Sequence, residues 1–133
     1  MIYRIFPTKD TFITNYAVQR VRQTGSNVGA SETLEVFKVS GISGTVGTLS
    51  SASLGRALLQ FDVAAISALT ASVVPTDASY KLVLRHKTSA ETLPYSFVMT
   101  VQPLSRSWDE GRGIDDQGLT DLGVANWDKS QSS

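Results

Sequence analysis

A period of two dominates this chain and limits what it can fold into. In residues 95–102, Tyr95, Phe97, Met99 and Val101 alternate with Ser96, Val98, Thr100 and Gln102, so one face of an extended segment carries the large apolar side chains. Residues 79–87 repeat the device, with Tyr80, Leu82, Leu84 and His86 on a face opposite Lys81, Arg85 and Lys87. Helical periodicity is almost absent, and short β-rich runs recur between Gly, Ser, Asn and Pro clusters. Strands are expected at residues 2–6, 10–14, 33–39, 56–63, 79–87 and 95–102. One short helical turn is expected around Ala64 to Leu69, in a region that Pro75 closes. A parallel sheet needs crossover helices, so the expected fold is all-β: an antiparallel β-sandwich, jelly-roll-like, with long loops.

The strand at 56–63 reads as the central one. Leu58 and Leu59 are adjacent, and Phe61 and Val63 follow at alternate positions, so both of its faces call for at least partial cover. Asp62 suits a hydrogen bond to the turn that follows. Two long loops punctuate the pattern. Residues 40–53 are almost all Ser, Gly, Thr and small apolar residues, too little to fix a conformation without a neighbour. Residues 19–31 are similar in kind, and Gly25-Ser-Asn-Val-Gly29 supplies turn chemistry.

A chain of 133 residues suffices for one domain with its own core and falls short of two, so residues 1–133 are expected to form a single β-sandwich domain. Its end departs from that pattern. After Trp127 the sequence runs Asp-Lys-Ser-Gln-Ser-Ser133 with no apolar alternation, whereas an open sandwich wants a last strand over its edge. The C-terminal edge is therefore expected to be incomplete. Either the chain is the N-terminal part of a longer protein, or a partner subunit supplies the strand by β-augmentation.

Twelve Lys and Arg balance twelve Asp and Glu, so no overall charge draws the chain to nucleic acid or to an anionic membrane, and neither partner is expected. Cysteine is absent, which excludes a disulfide framework and any thiolate chemistry. No apolar run approaches bilayer length, and the first residues show no cleavage signal, so synthesis and folding in the cytoplasm are expected. The balance conceals an asymmetry. Residues 1–107 carry ten bases and six acids, whereas residues 108–128 carry Arg112 alone against Asp109, Glu110, Asp115, Asp116, Asp121 and Asp128. That acidic segment is either a solvated loop or a surface for a basic neighbour.

The candidates for chemistry lie in the same segment. His86 is the single histidine, which excludes a histidine metal cage, and its place beside Leu82 and Leu84 suits a core or sheet-end residue. No serine sits in a nucleophile elbow. Asp109, Glu110, Asp115 and Asp116 could supply an acid and a base for glycoside hydrolysis, but that reaction needs carboxylates held across a cleft, and these share one loop. Asp115, Asp116 and Asp121 offer hard oxygen ligands around a glycine turn, as calcium prefers, without the EF-hand spacing. Trp108 and Trp127 bracket the loop. Their indole faces suit either stacking on a sugar ring or anchoring a protein contact, with Glu110 beside them, and they suit equally well the pinning of the loop to the core.

Taken in order, Asp10-Thr-Phe-Ile, Asn27-Val-Gly-Ala-Ser beside Leu34-Glu-Val-Phe37, Arg56-Ala-Leu-Leu-Gln-Phe-Asp62, and Trp108-Asp-Glu-Gly111 with Trp127 resemble the DNRLRE-type β-sandwich domains, relatives of family-96 carbohydrate-binding modules. The likeness spans nearly the whole chain. The opening Tyr3-Arg-Ile-Phe-Pro-Thr-Lys-Asp-Thr11, straight after Met1, looks like the versions in bacteriophage virion proteins. The resemblance implies a non-enzymatic structural protein of a phage particle, in the tail, neck or baseplate or as capsid decoration, with a lean to the tail. It would act through contacts with other virion proteins and with copies of itself. The alternative it implies is a module that binds a polysaccharide through Trp108, Glu110 and Trp127, with a structural calcium. In the family the first of these tryptophans usually packs on the core.

Overall fold

Pairing is built around the longest strand. The computed structural model describes residues 2–18, 21–41, 51–73, 79–87, 96–114 and 123–130. Its elements are β1 (Lys9–Thr14), β2 (Ala17–Val18), β3 (Val21–Arg22), β4 (Phe37–Gly41), β5 (Ser51–Gln60) and α1 (Val63–Val73). β5 lies between β1 and β4, antiparallel to both, and β2 and β3 form a separate two-stranded antiparallel ribbon. The secondary structure is thus antiparallel β with one short helix. The chain divides into two compact units, one of Met1–Val63 with Arg106–Ser133, the other of Ala64–Ser105.

The first unit holds the core. Thr11, Phe12 and Thr14 of β1 are buried, together with Val28, Trp108 and Ala125 from three different loops. Full burial of a side chain such as Phe12 contributes about 1.5–3 kcal/mol. β1 opens one residue earlier than the period predicts. β5 begins five residues earlier than expected and takes in Ser51 to Ser53, which composition assigns to a loop; antiparallel pairing with Val39 to Gly41 of β4 outweighs weak intrinsic preference. It stops at Gln60, and the expected last residue of the strand, Val63, instead opens α1 and is exposed. Asp62 stands immediately before the helix, where its residue type favours capping. α1 itself, at 11 residues, is longer than the single turn expected.

The strand expected at 33–39 appears as β4 at 37–41. Upstream, the Ser31 hydroxyl donates to the Thr33 carbonyl (3.0 Å) and accepts from the Thr33 N–H (3.3 Å), a local turn that competes with strand pairing. The 24–30 region is a second departure. It has turns at Thr24–Gly25 and Gly29–Ala30, yet Ser26, Asn27 and Val28 between them are buried, so this loop is part of the core.

Across the sheet, Gly55 faces Thr14 on one side and Phe37 on the other. A Cβ on Gly55 would stand 2.5 Å from Phe37 Cε1 and 3.1 Å from the Glu35 carbonyl oxygen, so the bare glycine is what lets the Phe37 ring lie across β5. That ring also meets Tyr16 edge-on, centroids 6.1 Å apart. Gly55→Ala is expected to displace Phe37. After the modest backbone gain of replacing glycine, it should cost about 1–2 kcal/mol, read as a lower urea midpoint at unchanged slope.

Residues 2–6, 79–87 and 96–102 form no strand, contrary to their alternation. Ile2 and Phe6 are exposed, and Pro7, without an N–H, follows them. In the second unit Tyr80, Leu82, Val83, Leu84, Phe97, Val98, Met99 and Val101 are all exposed, Val98 at 95%. The alternation is present, but no ladder partner for it exists among the described residues. His86 is exposed with its neighbours, away from the core position its pattern suggests. Residues 42–50, Pro75 and Tyr95 lie outside the described residues, and so do Asp115, Asp116 and Asp121. Among the described residues no helix is long and apolar enough to cross a membrane.

Candidate functional site

The tryptophan loop is held by backbone contacts more than by charge. Its centre is Asn27, fully buried in the Gly25–Gly29 turn. The Asn27 side-chain amide donates to the carbonyls of Glu110 (2.8 Å) and Ala125 (2.9 Å). Its Oδ1 accepts from the N–H groups of Gly29 (3.2 Å) and Gly113 (3.0 Å). Two donors and two lone pairs are thereby all used, the full capacity of an asparagine side chain. One residue joins three segments that are far apart in sequence.

Glycines let the segments approach. A Cβ on Gly113 would collide with the Asn27 carbonyl oxygen, and one on Gly29 with the Glu110 carbonyl oxygen. Gly111, at φ 77°, adopts the left-handed backbone that side chains resist, and its α-carbon faces the Asn27 amide. The Ala30 N–H donates to the Gly113 carbonyl (2.8 Å), and the Ala125 N–H to the Asp109 carbonyl (2.8 Å).

Each residue expected in the site takes a defined place. Trp108 is 5% exposed and belongs to the core, so its ring offers no face to a sugar. Its carbonyl accepts from Lys9 Nζ (3.2 Å), and Lys9 also stands 3.7 Å from Asp109 Oδ1, an exposed pair of small energetic weight. Glu110 is half-buried. Its Oε1 accepts the Asp10 N–H of β1 (2.8 Å), which fixes the loop to that strand by a charge-assisted bond. Trp127 is half-buried, with the Arg56 guanidinium carbon 4.7 Å from its ring centroid, a cation–π stack worth about 0.5–1 kcal/mol. The Trp127 N–H donates to the Thr24 carbonyl (3.0 Å). Next to it, Asn126 Oδ1 accepts from the N–H groups of Asp128 (2.9 Å) and Lys129 (2.8 Å), closing a tight turn.

The structure therefore brings Trp108, Glu110 and Trp127 into one loop assembly on β1 and β5. Chemically, Glu110 serves as an acceptor for backbone, and Arg56 covers a face of Trp127. No cluster of three or more metal-ligating side chains occurs among the described residues. Sequence reasoning singled out Trp108, Glu110 and Trp127 as site residues; Asn27, Gly29 and Arg56 entered it only as turn, motif and strand residues, and Gly113 was passed over. The signal for the Asn27 clamp was the asparagine turn Gly25-Ser-Asn-Val-Gly29 together with the Gly111-Arg-Gly113 stretch.

No family model matches the chain, and neither a curated protein nor a solved structure matches it.

Proposed function

We propose that this protein is a non-enzymatic building block of a bacteriophage particle that works through protein–protein assembly contacts. The observation that carries assembly is the exposed apolar surface of the second unit. Tyr80, Val83, Phe97, Val98 and Val101 are each at least two-thirds exposed, in runs patterned for β-pairing. Large apolar side chains left this exposed in two successive runs favour an interaction surface. The phage context rests on the resemblance of the ordered motifs from Asp10 to Trp127 to DNRLRE-type domains of virion proteins. The other virion proteins are the natural partners in this reading, and the acidic segment from Asp109 to Asp128 suits basic neighbours among them.

In the first unit the glycine-assisted Asn27 clamp and the Glu110–Asp10 bond make a rigid platform, which favours a structural role for the loop. The polysaccharide-binding alternative has less to use, since Trp108 is buried and a face of Trp127 is stacked by Arg56.

Immunogold electron microscopy of phage lysates, with antibodies raised against this chain, tests the proposal. Gold at one fixed place on intact particles is the expected result. Bare particles, with label on cell-surface glycan and Trp127 fluorescence quenched by that glycan, would overturn it in favour of carbohydrate binding.

A further inference from the structure

Among the described residues, β4 is an edge strand, and the sequences at 2–6, 79–87 and 96–102 carry strand alternation without a ladder. Charge separates them. Antiparallel pairing of 79–87 with its own copy, centred on Val83, would set Lys81 opposite Arg85. Pairing of 2–6 centred on Arg4 would set that cation against itself. Like charges directly opposite destabilise a strand pair. β4 is only five residues long and carries Lys38. Ser96-Phe-Val-Met-Thr-Val-Gln102 differs from all three, because it holds no charged residue.

Its order is also self-complementary. Folded about Met99, an antiparallel pair of copies sets Phe97 opposite Val101, Val98 opposite Thr100 and Met99 opposite Met99, so aromatic meets β-branched side chain twice. Pro103 ends the run. We infer that residues 96–102 are the strand through which two copies of this chain pair antiparallel, on a two-fold axis at Met99. A two-fold contact uses the same patch on both partners, which a palindromic pattern of side chains satisfies.

The run is apolar on both faces: Phe97 is 67% exposed, Met99 42% and Val101 69% on one, and Val98 95% on the other, so side chains of a paired copy meet apolar surface on either side of the strand.

The inference rests on the assembly reading and names its contact. The chain has no cysteine, so a single introduced thiol reports position cleanly. In the full chain under mild oxidant, Met99→Cys is expected to form a disulfide-linked dimer, because residues opposite each other in an antiparallel pair lie within disulfide reach. Phe97→Cys should crosslink about tenfold less, since its copy would sit roughly 13 Å away along the strands. Met99→Lys, which sets two cations against each other at the axis, should convert dimer to monomer in sedimentation with the circular dichroism of the wild type. A wild-type monomer at every concentration, or equal crosslinking at 97 and 99, would overturn the inference. Gold on particles together with either result would leave the assembly reading standing and remove only this contact.

Discussion

Asn27→Ala should be the most damaging single substitution in the first unit, lowering stability by about 3–5 kcal/mol. The magnitude comes from what is left behind. The carbonyls of Glu110 and Ala125 and the N–H groups of Gly29 and Gly113 would all lose the same side chain, in a place from which water is excluded. Each buried polar group left without a partner costs about 1–3 kcal/mol, whereas an ordinary hydrogen bond contributes about 0.5–1.5 kcal/mol net. Asn27→Asp separates hydrogen bonding from shape. The carboxylate keeps the volume and the two accepted bonds, but turns an oxygen toward two carbonyl oxygens that now receive an N–H. It should therefore destabilise by about 2 kcal/mol or more. Urea unfolding of both variants checks this; a midpoint for Asn27→Ala within error of wild type would show that the clamp carries no stability.

Gly113→Ala should come second, at about 2–4 kcal/mol. Its added methyl would meet the carbonyl oxygen of Asn27, which is backbone and cannot swing aside as a side chain can. The two loops must separate, and the Gly113 N–H to Asn27 Oδ1 bond and the Ala30 N–H to Gly113 carbonyl bond lengthen together. Because both substitutions break one network, the double variant Asn27→Ala with Gly113→Ala should cost less than the sum of the singles. Additivity within a few tenths of a kcal/mol would mean that the loops approach each other independently of Asn27.

How much of this was readable beforehand depended on the range over which each signal acts. The all-β class followed from alternation and from the scarcity of helical periodicity, both local properties. β1 was legible to within one residue because Asp10-Thr-Phe-Ile-Thr14 is β-prone throughout. β5 was legible in its second half, where Leu58 and Leu59 sit. Its first half, Ser51 to Leu54, has little propensity of its own and is a strand because β4 pairs with it. Residues 79–87 and 96–102 carry a strong pattern without a ladder: alternation shows that a segment can bury one face and does not supply the strand beside it. The loop site divides in the same way. Trp108 as a core residue was legible as one of two readings. The Asn27 clamp was not, because an asparagine between glycines signals a turn, and its four bonds depend on residues up to 98 positions away.

That separation has a consequence for the order of events during synthesis. The first unit is discontinuous, with Ala64–Ser105 lying between its two parts in sequence. Asn27 leaves the ribosome long before Glu110, Gly113 and Ala125 exist to receive it, and at about 5–20 residues per second the wait is on the order of 10 s. Throughout that interval β1 lacks the Glu110 carboxylate on its Asp10 N–H, and the apolar runs at 79–87 and 96–102 emerge while the Asn27 clamp is still unformed. The nascent chain therefore passes through a stage with its strand edges and apolar faces uncovered together, the state in which a trailing copy on the same messenger, or a chaperone, has its best opportunity to bind.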